Sequence, residues 1–222
     1  MNLSKYIDHT LLKASATKDE IKTLCSEAVL YNFYAVCING SYIEFASNTL
    51  KDKPVKVAAV VGFPLGAMDT ESKVFEAKNC VENGADEIDM VLNIGMLKSG
   101  SYVKVSDEIK AVKEAIGNTI LKVIIETCYL TKEEIIVASQ IVVDAKADFV
   151  KTSTGFGTGG AELEDIKLMK EVVGDSAKVK ASGGIRDYET AMKFIEVGAT
   201  RLGTSSGVNI VNQKKSTDEH TY

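Results

Sequence analysis

The chain has 222 residues, of which 45% are apolar and 26% are charged, and its formal net charge is −5. These values are typical of a globular protein and lack the basic surface of nucleic-acid-binding or membrane-associated proteins. We therefore expect no nucleic-acid or membrane partner, and one domain over residues 1–222. The first residues, MNLSKYIDHTLLK, contain no long apolar segment of the signal-peptide type, so we expect a cytoplasmic location.

Cysteine and histidine are sparse, which limits the kinds of site that the chain can build. The four cysteines form no C-x-x-C pair, and the histidines are only His9 and His220. We expect reduced, mostly buried thiols and no metal site. His9 is interpreted as a packing or hydrogen-bonding residue rather than a ligand or a base.

Eight short apolar segments are predicted as strands, at residues 6–10, 35–39, 55–62, 87–92, 121–126, 148–152, 178–182 and 201–204. They recur roughly every 25–30 residues, which is the rhythm of βα units. The run VKVAAVV at 55–61 is almost continuously apolar, as in strands covered on both faces.

Helical patterns lie between these strands. Thr17 and Thr131 each precede a glutamate by three residues, the spacing of a capping box, and 164–173 and 188–197 are two further predicted helices. Eight βα units in a chain of this length predict an α/β fold, a closed (β/α)₈ TIM barrel. A doubly wound open sheet is the alternative, but no early strand is followed by G-x-G-x-x-G or a P-loop.

Two lysines occupy matching places at the ends of predicted strands. Lys151 and Lys180 each follow a short apolar segment and precede glycine-rich turns, where a barrel carries its catalytic groups. Two ammonium groups about 5 Å apart would repel by about 3 kcal/mol, or about two pKa units, so each should suppress the other's charge. An uncharged lysine can form a Schiff base with a carbonyl, so the pair predicts imine chemistry. The alternative is two exposed strand-end charges.

Acidic residues accompany the lysines at the strand ends. Asp89 lies within an apolar strand and needs a partner; it either moves protons through water or forms a structural ion pair. Asp8 and Glu126 have similar positions, and we expect both to form ion pairs. Asp86 and Glu87, beside the preceding turn, are expected to be solvated.

Glycine and serine cluster after the last three strands. Backbone amides in such loops bind phosphate, and barrel enzymes place phosphate near strands seven and eight. The predicted phosphate-binding residues are Gly155, Gly183, Gly184, Ser205 and Ser206. Tight turns without a ligand are the alternative.

Eight phrases taken together resemble one family, the deoxyribose-phosphate aldolases of class I. They are IDHTLL at 7–12, AVCIN at 35–39, GFPLG at 62–66, GADEIDMV at 84–91, KVIIET at 122–127, FVKTSTGF at 149–156, KASGGIR at 180–186 and GTSSG at 203–207. The resemblance implies reversible cleavage of 2-deoxy-D-ribose 5-phosphate to D-glyceraldehyde 3-phosphate and acetaldehyde. It also implies small sugar phosphates and aldehydes as partners and no cofactor; a homodimer is an assembly that the sequence permits.

The same resemblance implies a role for each predicted residue. Lys151 would form the Schiff base, Lys180 would lower its pKa, and Asp89 would relay protons. Phe156 stands where some members have a basic residue, which removes one side-chain contact to phosphate. The alternatives are an aldolase for another sugar phosphate, a metal-dependent aldolase, or a catalytically silent sugar-phosphate-binding barrel.

The C-terminal residues 212–222 are polar and predict a mobile tail. A frayed end without a role is the simpler interpretation. The alternative hypothesis makes Tyr222 a proton donor next to the imine.

Overall fold

Eight parallel strands form a closed barrel in chain order in the computed structural model, which describes residues 2–213. The strands are β1 Ile7–Leu11, β2 Ala35–Ile38, β3 Lys56–Val61, β4 Glu87–Val91, β5 Ile120–Ile124, β6 Phe149–Lys151, β7 Lys178–Ser182 and β8 Arg201–Thr204. All eight predicted strands are confirmed within one or two residues at each end, and barrel closure excludes the open sheet. The predicted tail, from residue 214 to Tyr222, lies outside the described residues.

Helices connect the strands on the outside of the barrel. Within the described residues they are α1 Lys18–Leu30, α2 Ile43–Thr49, α3 Thr70–Glu82, α4 Ile94–Lys98, α5 Tyr102–Ile116, α6 Lys132–Asp144, α7 Leu163–Val173, α8 Tyr188–Glu196 and α9 Gly207–Val211. Both predicted capping boxes are present. The side chains of Thr17 and Thr131 each accept from the backbone N–H of the glutamate three residues later, and that glutamate's side chain accepts from the backbone N–H of the threonine. Short 3₁₀ helices cover Leu3–Tyr6, Gly40–Tyr42 and Thr127–Tyr129.

Two apolar cores result from the alternation of side chains along the strands. The larger core lies between the outer face of the barrel and the helices and includes Phe33, Ile88 and Val179. A separate small cluster contains Leu12, Cys37, Ala58 and Val60, with Phe63 packed on it. The rest of the buried interior is strongly polar, which is unusual for a packed core and directs attention there.

The register of the sheet sets which inward residues meet. Lys151 lies beside Lys180, and Lys180 lies beside Arg201. On the opposite side Asp89 is paired with Val60 on one neighbour and Lys122 on the other. Side chains at paired positions point to the same face, so charged groups from six strands share the inside of the barrel.

Other expectations concern the chain as a whole. The cysteines carry free thiols, of which Cys25, Cys37 and Cys80 are buried and Cys128 is partly exposed. Between residues 2 and 213, no helix is both long and apolar enough to span a bilayer. Over the same range, no three or more His, Cys, Asp or Glu side chains are grouped to hold a metal ion.

Candidate active site

A network of buried charges fills the barrel below its C-terminal mouth. Three carboxylates face four basic groups, and every member is at most 5% exposed: Asp8, Glu87, Asp89, Lys122, Lys151, Lys180 and Arg201. Charges this deeply buried must be paired to be tolerated. With one more positive than negative group, loss of a single proton from a lysine would balance the network.

Asp89 is the centre of this network. Its Oδ1 accepts from Lys122 Nζ at 2.6 Å, and its Oδ2 accepts from Lys151 Nζ at 2.7 Å and Lys180 Nζ at 2.8 Å. Burial opposes ionisation, but the three lysines outweigh it and hold the pKa of Asp89 well below its usual value. Asp89 is therefore a carboxylate that bridges the two predicted catalytic lysines.

The two lysines differ in how well their charge is compensated. Lys180 Nζ contacts Asp8 as well as Asp89, whereas Lys151 pairs with a single carboxylate among residues 2–213, Asp89, whose Oδ2 it shares with Lys180. Burial and the charge of Lys180 lower the pKa of Lys151, and Asp89 only partly opposes them. Burial acts on Lys180 too, but Asp8 and Asp89 outweigh it and raise its pKa. Lys151 is thus the lysine that loses its proton more readily.

This asymmetry corrects the expectation that each lysine suppresses the other's charge. Lys151 loses basicity as predicted, but Lys180 gains it, because two carboxylates hold the ammonium form of Lys180. The prediction failed because repulsion was considered between the lysines alone, without the carboxylates of β1 and β4. Their position between the lysines is a property of the closed barrel.

The lower part of the network includes residues that the sequence did not single out. Glu87 accepts from Lys122 at 2.6 Å and from Arg201 at 3.0 Å, and it is 1% exposed, so the expectation that Glu87 is solvated was wrong. Asp8 binds Lys180 and Arg201, as expected for an ion pair. Burial opposes ionisation of Asp8, but these cations lower its pKa to about 2.

A signal for these residues was present in the sequence. Glu87 precedes Asp89 by two residues, and Lys122 interrupts an otherwise apolar strand, so all three have the inward period of their strands. Asp86 directly precedes Glu87 and therefore has the opposite phase; it is exposed and pairs with Lys56 at the surface, as expected of a solvated residue.

Glu126 follows β5 and has a different role from that expected. Among residues 2–213 no basic side chain forms a salt bridge with it; instead Thr154 donates to its carboxylate from the backbone N–H, at 3.2 Å to Oε1, and from the hydroxyl. Its backbone is left-handed, with φ of 53°, and burial raises its pKa despite these bonds. Glu126 therefore anchors the loop after β6, and the predicted ion pair was wrong.

The loops after β6 and β7 form one corner of the mouth. Gly183 and Gly184 both have positive φ, and Ala161 N–H donates to Gly183 O at 3.1 Å. A Cβ on Gly160 would lie 2.4 Å from that carbonyl oxygen, so only glycine allows the approach. The contact between the loops is made at Gly160, at the end of the glycine-rich loop after β6, whereas Gly155 is buried earlier in that loop.

The loop after β8 joins this corner through hydrogen bonds of Thr204. Its hydroxyl donates to Ile185 O at 2.6 Å and accepts from Ser206 N–H at 2.9 Å. Ser206 is buried, and its amide is already used within the loop. Ser205 is exposed and lines a cavity of about 440 Å³ beside β1 and α1. The predicted phosphate residues thus lie on three adjoining loops, with Gly184 and Ser205 the exposed ones.

His9 lies outside the charged interior. Its Nε2 is 2.7 Å from Glu27 Oε2, and its ring packs on Phe33 with centroids 5.0 Å apart. The interpretation of His9 as a packing and hydrogen-bonding residue is confirmed.

Comparisons with known proteins agree with this geometry. The model of the DeoC/LacD family of aldolases matches residues 3–213. A protein of Alkaliphilus oremlandii named deoxyribose-phosphate aldolase is 58% identical over 216 residues, covering 97% of each chain. A protein of the same name from Streptococcus uberis is 57% identical over 212 residues, covering 96% of each chain.

A solved structure is similar over the same extent. The deoxyribose phosphate aldolase of Aeropyrum pernix, described as having a unique tetrameric structure, superposes with a TM-score of 0.86 at 33% identity. The match covers 95% of this chain and 89% of that one. A barrel with a bridged pair of buried lysines at its mouth and full-length likeness to named aldolases leads to one conclusion: the chain belongs to the DeoC/LacD aldolase family.

Proposed function

We propose that the chain reversibly cleaves 2-deoxy-D-ribose 5-phosphate to D-glyceraldehyde 3-phosphate and acetaldehyde, through a Schiff base at Lys151. The observation that carries the proposal is the unequal compensation of the two lysines: Lys151 shares its one carboxylate oxygen with Lys180. Its pKa is lowered by burial and by Lys180, so the reactive amine is available nearer neutral pH. The names of the curated relatives support the choice of substrate.

Imine formation begins with the uncharged amine of Lys151. Its nitrogen adds to the aldehyde carbon of the open-chain sugar, and the resulting carbinolamine loses water to leave a protonated imine. Lys180, whose raised pKa keeps it charged, supplies the proton that the departing hydroxide needs. Asp89 Oδ2 contacts both nitrogens and passes protons between them through water.

Carbon–carbon cleavage then uses the imine as an electron sink. The bond between C2 and C3 of the sugar breaks, its electrons form the enamine, and the C3 hydroxyl loses its proton as C3 becomes the aldehyde of glyceraldehyde 3-phosphate. Asp89 is ionised and can accept that proton through water. Protonation of the enamine carbon and hydrolysis of the imine release acetaldehyde and restore Lys151.

The phosphate of the substrate is assigned to the corner formed by the loops after β6, β7 and β8. Gly155, Gly183, Gly184, Ser205 and Ser206 are the proposed contacts, the glycines through backbone amides and Ser206 through its hydroxyl, because the Ser206 amide is bonded to Thr204. Gly183 and Gly184 both have positive φ, and Gly184 is exposed, with nothing within 4 Å of where a Cβ would lie, so a phosphate can approach the backbone there. Phe156 supplies no cation, so backbone amides carry more of the binding.

Borohydride trapping tests the proposal. Acetaldehyde and borohydride should leave one adduct, mapped by mass spectrometry to Lys151, and the protein should cleave deoxyribose 5-phosphate. An adduct on Lys180 alone would reject the assigned roles. Trapping without cleavage of this sugar phosphate would favour an aldolase for another substrate, and absence of any adduct would favour a silent barrel. Loss of activity with a chelator would favour the metal-dependent alternative.

A variant of Asp89 separates proton transfer from imine formation. Asp89→Asn keeps the size of the side chain but removes its charge, so some imine should still form while turnover falls sharply. Full turnover in this variant would make Asp89 structural. We further propose a cytoplasmic homodimer; light scattering would test the assembly, with the tetramer described for the Aeropyrum pernix relative as the alternative.

A further inference from the structure

Glu126 combines a left-handed backbone with a buried carboxylate. Its φ is 53°, a conformation that residues with a Cβ rarely adopt, and the residue is 2% exposed. The other non-glycine residues of positive φ between residues 2 and 213 are exposed and follow helices, where this conformation is common: Asn32, Asp52, Lys146 and Gln213. Glu126 follows a strand instead, so its own contacts must hold it in this conformation.

The carboxylate of Glu126 holds the loop after β6 by its backbone. Thr154 N–H donates to Oε1 at 3.2 Å and to Oε2 at 3.3 Å, and the Thr154 hydroxyl donates to Oε2. The same hydroxyl accepts from Phe156 N–H at 3.0 Å. One side chain thus fixes the amides on both sides of Gly155, directly or through a single hydroxyl.

Close packing holds the next part of this loop. A Cβ on Gly157 would lie 2.8 Å from Cys128 Sγ and 3.3 Å from Glu126 Oε1, so the backbone lies against the thiol and the carboxylate. The Phe156 ring packs edge to face on Phe63, which follows β3, with centroids 5.3 Å apart. The loop is therefore held on both sides, and removal of the carboxylate would leave a gap beneath it.

Gly155 lies at the centre of this fixed segment. Its φ is 87°, and no acceptor among residues 2–213 takes its N–H. The N–H groups of Thr154 and Phe156, by contrast, are both bonded within the anchor. A backbone N–H without a protein acceptor is available to an anionic oxygen. The direction of this N–H is set by the peptide groups beside it, and so by Glu126.

We propose that Glu126 is a positioning residue that sets the preference for a phosphorylated substrate by directing Gly155 N–H at the phosphate. This role rests on the proposed function, because it takes the loop after β6 as part of the phosphate corner. Glu126 itself does not touch the substrate, since a carboxylate beside a phosphate would repel it. Phe156 supplies no cation, so phosphate recognition depends on the orientation of backbone amides, and the loop that carries them needs an anchor.

The test compares a measurement that involves the phosphate with one that does not. The first is the KM for 2-deoxy-D-ribose 5-phosphate, and the second is the rate at which the borohydride-trapped acetaldehyde adduct forms at Lys151. Glu126→Gly removes the carboxylate and also suits the left-handed backbone, so the fold should persist. The KM should rise about 10- to 100-fold, the range expected when a hydrogen bond to a charged group is lost. The adduct should form at the parental rate.

Variants of Thr154 test the same anchor without a change of charge. Thr154→Val removes the hydroxyl that joins Glu126 to Phe156 N–H, and it should raise the KM by about 3- to 10-fold with the adduct rate unchanged. Thr154→Ser keeps the hydroxyl and should have the parental KM. Lys146→Gly is the matched control for Glu126→Gly, because it places glycine at an exposed left-handed position before β6, and it should leave both measurements unchanged.

The outcomes distinguish this role from the proposed function. A parental KM in Glu126→Gly, or a KM and an adduct rate that are impaired equally, would overturn the role while cleavage by the parent upheld the function. If Glu126→Gly does not fold, a raised KM with a parental adduct rate in Thr154→Val supports the role, and a parental KM in that variant rejects it. Absence of any adduct at Lys151 in the parent would overturn both.

Discussion

Two buried lysines of this molecule have similar immediate surroundings, but we propose a chemical role for only one of them. Lys151 Nζ lies 2.7 Å from Asp89, and Lys73 Nζ lies 2.7 Å from Glu108, between α3 and α5 outside the barrel. Burial lowers the pKa of both lysines. Burial and a close carboxylate are therefore not enough to identify a reactive lysine.

The difference lies in what else the carboxylate and the lysine contact. Lys73 also donates to Val91 O at 2.9 Å, and Glu108 accepts from Asn93 N–H at 3.1 Å, so the pair fixes the end of β4. Lys73 is fully buried beneath a helix, whereas Lys151 ends a strand at the mouth and shares Asp89 with two other lysines. A reactive lysine needs a carboxylate partner that is shared with other cations, so that its own charge is incompletely compensated, and it must be accessible to the substrate.

The largest expected effect follows replacement of Lys151. Lys151→Arg keeps the positive charge in the network, but its guanidinium stays protonated and cannot attack a carbonyl. Aldol cleavage should fall by at least about 10⁴-fold, and the borohydride adduct should disappear while the melting temperature changes little. A borohydride adduct mapped to Lys73 in this variant would show that Lys73 is also reactive and would contradict the distinction between the two lysines.

Replacement of Lys73 should affect stability instead of chemistry. Lys73→Met leaves Glu108 buried without its cation, so the free energy of unfolding should fall by about 3–5 kcal/mol. The adduct at Lys151 should still form in the folded fraction. Lys73→Met combined with Glu108→Leu removes both charges and should regain most of the stability in urea titrations. If the double variant is as unstable as the single one, the loss of stability does not come from the unpaired charge of Glu108.

Removal of Lys180 tests the reason proposed for the reactivity of Lys151. The charge of Lys180 lowers the pKa of Lys151, so Lys180→Met should raise it. Because the uncharged amine is active, the rise of activity should move to higher pH, and the rate near neutrality should fall strongly. Lys178→Met, on the exposed start of the same strand, is the matched control for the pH–rate profile. An unmoved profile would assign Lys180 to structure alone.

The smallest effect is expected at an exposed pair of the same type. Lys56 Nζ is 2.8 Å from Asp86, with side chains 53% and 35% exposed. Lys56→Met should lower the free energy of unfolding by no more than about 1 kcal/mol, because water already solvates both charges. A loss comparable with that of Lys73→Met would show that burial does not govern these energies.

Much of the architecture was determined by the sequence itself. The nearly continuous apolar strands, the glutamates three residues after Thr17 and Thr131, and the repeat of βα units are local features, and local physics makes them reliable. The position of Lys151 at the end of β6 was also predicted from the sequence, whereas Asp89 and Lys180 lie in the middle of β4 and β7 rather than at the strand ends.

Only the tertiary structure determines which charged side chains share a carboxylate oxygen, as Lys151 and Lys180 share Asp89 Oδ2. Glu87 and Lys122 lie in phase with the interior, yet their partners come from strands more than 30 residues away, so no local pattern pairs them. The same holds for Glu126, which anchors Thr154, and for Phe63 and Phe156, which meet across the mouth. Strand periodicity tells which face a side chain takes, but barrel closure sets the distances between strands, and those distances determine which lysine loses its proton.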